Sequence, residues 1–349
     1  MKKRILAFML VLCLIFSLAA CSGSVKTVKD LYKLKCLKDM PKEQSDATPL
    51  FWKVTAPNGE VAYLFGSIHV ADSTYLRLSD QIMQAYIDCD ALAVEFDLIK
   101  FSNNYNELIA TSLIAMYTDG TNLDNHITKA LADEYINYLK VNPEFLGSQG
   151  IYSTDSLRQY KPAYISGIPS SFALQSTGLS SEYGVDLLFL NMATEMKKEI
   201  VELETPAFQA GLLYDVPDVL GKLMIIEAMN ISISDYAEST LELYEAWKDG
   251  DLDYFEQLLE DQIDLDGSGY TEEEALAYLE YIYNIYDARN IAMAEKIINN
   301  LTAKKSVFVV VGAAHMVGEN GITTILAAQG YTVEMLSGNS ISLAKTIAA

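Results

Sequence analysis

The sequence predicts an α/β fold: a mixed central β-sheet with flanking helices and a large helical insertion. Three observations predict it. Apolar runs of strand length alternate with helix-patterned segments at both ends of the chain. Between them, about residues 206–301 carry an almost unbroken helical pattern with acidic outer faces. A strand, a Gly-x-x-His turn, a helix and a second strand also follow one another twice, at 61–96 and at 306–336.

The chain opens MKKRILAFMLVLCLIFSLAAC. Lys2, Lys3 and Arg4 form a positive n-region, Ile5 to Leu18 is uncharged and apolar, and small residues follow. This is the pattern of a secretory signal over residues 1–20, and its apolar part is short for a membrane span. Leu18-Ala19-Ala20-Cys21 resembles the lipobox of bacterial lipoproteins, in which the cysteine becomes the N-terminus and carries lipid, palmitate among its acyl chains. The expected location is the cell membrane, lipid-anchored on the extracytoplasmic face. Cleavage before Cys21 leaves 22 basic against 47 acidic residues and moves the formal net charge from −22 to −25. With no basic footprint, a nucleic-acid partner is not expected.

Residues 21–48 read as a lipidated tether with some helical character, since Val25, Val28 and Leu31 recur at helical spacing. Lys26, Lys29, Lys33, Lys35, Lys38 and Lys42 outnumber the acids there; beside a lipid anchor they would face anionic headgroups, and otherwise they solvate the tether. Cys13 leaves with the signal. Cys36 and Cys89 could pair outside the cytoplasm, but two cysteines do not make a disulfide framework.

The folded domain is expected over residues 49–349. LFWKVTA and EVAYLFGS flank Pro57-Asn58-Gly59 and read as a hairpin. SDQIMQAYIDCD is a helix opened by a serine cap, and ALAVEFDL is a strand ending in acids. Residues 101–150 look mostly helical, PAYISGI reads as a short strand, EYGVDLLFLNMATEM as a helix and KEIVELET as another strand ending in acids. After the helical block, SVFVVVGAAH returns to strand, ENGITTILAAQG is a helix with a terminal glycine, and YTVEML is a last strand.

The chain has only three histidines, and two of them, His69 and His315, stand three residues after a glycine that ends an apolar strand. The carboxyl ends of strands are where α/β sheets place ligand sites. Gly66 and Gly312 allow close approach of a backbone or ligand there. Imidazole is both a metal ligand and a general base near neutral pH. A single histidine in such a place is ordinarily structural; the shared spacing and strand context of these two point to a shared site. Glu95 and Asp97 end one apolar strand, Glu202 and Glu204 another, and strand alternation puts the members of each pair on one face. Two histidines with one or two carboxylates suit Mn, Fe, Co or Zn. The alternative for each acid is a solvated strand end. Arg289 reads either as a surface ion pair or as a carboxylate clamp, orienting Glu95 or Glu204 or gripping a substrate.

The paired GSIH (66–69) and GAAH (312–315), with VEFD after the first, resemble the TraB/GumN family. EYGVDLLFL (182–190), VELETPAFQ (201–209) and DARNIAMAEKI (287–297) resemble further segments of the same family. The resemblance runs from about Leu50 to Leu336. It implies a Tiki/TraB-like mixed α/β fold shared with erythromycin-esterase-like enzymes and haem-binding lipoproteins of the ChaN type. Tiki proteins are similar membrane-tethered, metal-dependent proteases. Carried over by motif, His69, Glu95 and His315 match catalytic or metal positions, and Glu204 and Arg289 match other polar signature positions. The expectation is a lipid-anchored metal-dependent hydrolase acting on peptides or proteins, with a divalent ion at His69, His315 and Glu95 and a proton relay at Glu204. Two other readings stand beside it: a surface protein that binds a peptide signal, metal or haem, and a metal-free hydrolase in which one histidine acts as base towards an ester.

Other signals have simpler explanations. DLDGSGYTEEEA (264–275) resembles a calcium loop but has Ala275 where a bidentate Glu is needed. Thr271-x-x-Glu274 reads instead as a capping box. Of the 22 tyrosines, those in helical stretches read as core or groove walls, and His126 reads as structural.

Overall fold

A computed structural model of the chain describes residues 25–75, 77–148, 154–265 and 269–338. The secretory signal and the lipidation site at Cys21 lie outside the described residues.

Six strands make one sheet: β1 (Phe51–Thr55), β2 (Val61–Ser67), β3 (Ala91–Val94), β4 (Glu199–Glu202), β5 (Val307–Gly312) and β6 (Thr332–Ser337), in the order β4-β3-β5-β2-β1-β6. β4, β3, β5 and β2 run parallel, while β1 is antiparallel to both β2 and β6. The sheet is therefore mixed, and helices fill the connections, as the alternating pattern predicts. β3 and β5, the uninterrupted apolar runs ALAV and VFVVV, are neighbouring interior strands, buried along nearly their whole length. The outermost strands carry charge, with Glu199 on β4 and Glu334 on β6, which disfavours further edge pairing. The hairpin turns at Gly59, whose φ of 87° suits glycine.

Phe308 on β5 lies at the centre of the main core. The rings of Phe189, Tyr86 and Phe65 stand 4.9, 5.5 and 6.3 Å from it. Phe189 comes from the helix Val185–Met196 and Tyr86 from the helix Asp80–Asp88, capped by Ser79. The insertion spans helices from Pro206–Tyr214 to Asp287–Thr302, and it does not form a unit of its own. Its Trp247, Phe255, Met293 and Ile297 belong to the main core. Its Ile225 and Ala228 join a second, all-helical core with Leu123, Tyr135, Leu139, Ile165 and Ile168.

PAYISGI, expected as a strand, is helical: Pro162–Ile165 is followed by Ile168–Ser176. A short apolar run does not distinguish a buried strand from a buried turn of helix. Pro162 fits the first helical position, where its missing N–H costs nothing, and Ile165 and Ile168 fill the second core. Cys36 and Cys89 are free thiols, the first exposed and the second buried, with no bridge between them. Leu31 and Leu37, within the stretch read as a tether, are buried in the main core. The Glu195 carboxylate accepts from the backbone N–H groups of Lys35 and Cys36 at 2.8 and 3.0 Å. Thr271 and Glu274 form the expected capping box; residues 266–268 of the calcium-like loop lie outside the described residues. His126 stacks on Tyr117 at 4.2 Å and places Nδ1 3.0 Å from Asp218, a structural contact set. Among the described residues no helix is long and apolar enough to cross a membrane.

Candidate functional site

Because β2, β3, β4 and β5 are parallel, their carboxyl ends share one rim. Each contributes one polar side chain just past its last residue: His69 after Ser67, Glu95 after Val94, Glu204 after Glu202 and His315 after Gly312. β3 and β4 stay joined beyond the strands, where Leu203 N–H donates to Val94 O at 2.8 Å and Glu204 N–H to Glu95 O at 2.7 Å. The two histidine strands, β2 and β5, are direct neighbours, with Gly66 opposite Val311 and Ser67 opposite Gly312.

The two motif glycines serve different ends. A β-carbon on Gly66 would lie 3.1 Å from Ala313 and 3.4 Å from Leu50, so glycine is what lets the turn after β5 settle on β2. The Gly66 carbonyl accepts from the Trp247 indole at 2.9 Å. A β-carbon on Gly312 would instead look into the site, 3.6 Å from His315 Cδ2 and 3.7 Å from Glu95 Oε1.

Arg289 and Gln209 tie the carboxylates together. Arg289 Nη2 donates to Glu95 Oε2 at 2.8 Å and to Glu204 Oε2 at 2.7 Å, and Nε donates to Glu204 Oε1 at 2.9 Å. Gln209 Nε2 donates to the same two Oε2 atoms at 2.7 and 2.8 Å. Gly312 N–H completes the cage on Glu95 Oε1 at 3.1 Å. Arg289, buried to 8 % exposure, is thus the clamp of the two readings offered above, gripping both acids at once. Burial alone would raise the Glu95 carboxyl. The charges of His315, His69 and Arg289 and the Gly312 N–H overcome it and hold Glu95 at about 2.

The histidines are held differently. His69 is exposed over 65 % of its side chain, and its Nδ1 lies 2.9 Å from Asp186 Oδ2. Asp186 is itself buried and accepts from Ser67 Oγ at 2.8 Å. The Asp186 charge, with its hydrogen bond and the Glu95 charge, pushes the imidazole up to about 9. His315 is 6 % exposed, with Nδ1 2.7 Å from Asn290 Oδ1, and burial pushes it down to about 4 against the pull of Glu95. The Tyr286 ring leans on it at 5.6 Å.

His69, Glu95, Glu204, Arg289 and His315 are thus brought together on one rim. Asp97 and Glu202 are not. β3 ends at Val94, before its acids, so alternation no longer governs them. Asp97 caps the helix Leu98–Asn103, and Glu202 pairs with Lys100 at 2.5 Å. Asp186, Asn290, Gln209 and Ser67 are not assigned roles from the sequence, although all four lie inside the quoted family segments.

Two imidazoles and a carboxylate oxygen are a donor set that suits a divalent ion in chemistry. In spacing the set is open: among the described residues no group of three His, Cys, Asp or Glu side chains stands ready to hold one.

Comparison with known proteins agrees with the family resemblance of the sequence. The sequence model of the TraB/PrgY/gumN family matches residues 50–335. The uncharacterized protein YbaP of Shigella flexneri is 26 % identical over 165 residues, which is 47 % of this chain and 56 % of that protein. YbaP of Escherichia coli K12 matches to the same extent. The match thus spans little more than half the length of these relatives. A stretch of the SecA protein translocase subunit of Alcanivorax borkumensis is 30 % identical over 181 residues, covering 47 % of this chain and 18 % of that protein. No solved structure matches the chain.

Proposed function

The chain belongs to the TraB/PrgY/gumN family, and on that premise we propose that it is a hydrolase of peptides or proteins, working at the rim where β2, β3, β4 and β5 end. The observation that carries this reading is the meeting of His69, Glu95, Glu204 and His315 at the ends of four neighbouring strands, with one buried arginine gripping the two carboxylates. A hydrolase needs groups that activate water and groups that take up charge at the carbonyl. An imidazole can do the first. The Arg289–Gln209 pair fixes the carboxylates so that they need no reorganisation. With both Glu204 oxygens engaged by Arg289, Glu204 in this arrangement anchors the clamp, and a proton is more readily moved by an imidazole.

A divalent ion of the Mn, Co, Fe or Zn class would be held by His69 and His315 with Glu95, and would supply an activated water and a Lewis acid. The second reading, metal-free hydrolysis with a histidine as base, is favoured by the open spacing of the donors and by the Arg289 charge against Glu95. We further propose that the protein is lipid-anchored through Cys21 at the extracytoplasmic face of the cell membrane, which would bring peptide or protein substrates to it there.

Elemental analysis of protein purified without added metal, and after reconstitution, separates these readings when His69→Ala and His315→Ala are measured beside the wild type. A histidine-dependent ion with cleavage of a peptide library supports the metal hydrolase. Cleavage without any ion, lost on a single histidine substitution, supports the metal-free one. A held ion without turnover across the library would sink the hydrolase and leave a binding protein for a peptide signal, metal or haem.

A further inference from the structure

We infer that Asp186 and Asn290 are the positioning residues of the two histidines: each fixes its imidazole with the proton on Nδ1 and leaves Nε2 as the working atom. The inference rests on the hydrolase reading only for what Nε2 is used for; the protonation pattern stands on contacts alone.

For His69 the argument is the chemistry of its partner. An ionised carboxylate only accepts, so the short contact between Asp186 Oδ2 and Nδ1 requires the proton on Nδ1. Asp186 cannot turn away, because Ser67 Oγ donates to its other oxygen at 2.8 Å. Its helix is also pinned to the His69 turn. Val185 N–H donates to Ile68 O at 3.0 Å, and a β-carbon on Gly184 would come within 2.6 Å of the His69 carbonyl oxygen. Only glycine allows that approach.

For His315 the partner is an amide, which could present either end. Asn290 Nδ2 donates to the Asn320 carbonyl at 3.0 Å, and that contact can be made only by the NH2 group. Oδ1 therefore faces His315 across 2.7 Å as an acceptor, and Nδ1 must donate. Arg289 and Asn290 are consecutive residues of the helix Asp287–Thr302, so one helical turn sets both the carboxylate clamp and this tautomer.

At neither imidazole does Nε2 have a protein partner among the described residues, since both recorded polar contacts are made through Nδ1. Such outer partners orient imidazoles in sites where the second nitrogen binds a metal or moves a proton.

The test is a long-range proton–nitrogen correlation spectrum of the nitrogen-15-labelled full chain in detergent, recorded without metal at pH 10, above the titration range of His69. Histidine-to-glutamine variants assign the signals. Both imidazoles should show the Nδ1–H form. Asp186→Ala should release His69 alone and Asn290→Ala His315 alone, each moving towards the Nε2–H form. If the protein holds an ion, each alanine variant should retain it ~10- to 100-fold more weakly. An Nε2–H form at either imidazole in the wild type overturns the inference, and so do tautomers that do not move in the alanine variants. The wild-type spectrum decides even where a variant fails to fold, and a hydrolase reading that failed for want of turnover would leave these spectra unchanged.

Discussion

The two Gly-x-x-His turns share a spacing, a strand context and a rim, yet they are built for different conditions. The β2 turn carries an exposed histidine against a buried carboxylate. The β5 turn carries a buried histidine against a neutral amide. One glycine is packed under the neighbouring turn, and the other faces the site. A repeated motif therefore specifies where two side chains emerge, and their different neighbours set what each can do.

The largest effect is expected at the clamp beside the two turns. Arg289→Ala leaves Glu95 and Glu204 facing one another without their shared cation, and breaking a buried ion pair in this way costs about 3–5 kcal/mol. Urea unfolding at neutral pH measures it. A loss below about 1 kcal/mol would mean that the clamp adds nothing to stability.

Acid should sharpen the comparison, because the two histidines respond to pH in opposite directions. In metal-free protein His315 is held at about 4, below its ordinary 6.5. The unfolded chain takes up its proton first, so stability falls as pH drops from 6.5 towards 4, by about 1.4 kcal/mol per pH unit at most. His69 is raised to about 9. Its contribution is full below 6.5 and is lost as pH rises through 9; being exposed, it is the smaller of the two. Glu95, held at about 2 against an ordinary 4.5, adds a third loss as pH falls from 4.5 towards 2. Denaturation across the pH range for the wild type and His315→Gln checks the pattern: the substitution should flatten the slope between pH 4 and 6.5 and leave the alkaline limb in place.

The glycines give a subtler contrast. Gly66→Val drives a branched side chain into Ala313 and Leu50, and overpacking of this kind costs about 1–3 kcal/mol. Gly312→Ala meets only ordinary contacts and should cost less than about 1 kcal/mol, while narrowing the space between His315 and Glu95. Thermal unfolding of the pair ranks them. Equal losses would show that the glycines do the same work.

Much of this was readable in the chain. The apolar runs locate all six strands, and the Gly-x-x-His spacing finds both histidines. What alternation missed at Glu95 and Asp97 has a physical reason: period two holds only while the strand lasts, and β3 stops at Val94. PAYISGI failed because burial, rather than strand geometry, explains its apolar residues. Asp186 and Asn290 stayed hidden because each is one polar residue in an otherwise ordinary amphipathic helix. Their importance lies in contacts with residues 117 and 25 positions away in sequence, which no local pattern records.

The position of β5 has a consequence for how the molecule comes into being. β2 and β3 are close in sequence, yet they do not touch as strands; the slot between them is filled by β5. Gly312 reaches back across 217 residues to donate to Glu95. A chain emerging from its N-terminus therefore completes β1, β2 and β3 long before the strand that joins them exists. Closing so long a loop is slow, and the unpaired strand edges are exposed meanwhile. Until β5 is made, the two histidine turns have no common rim to stand on.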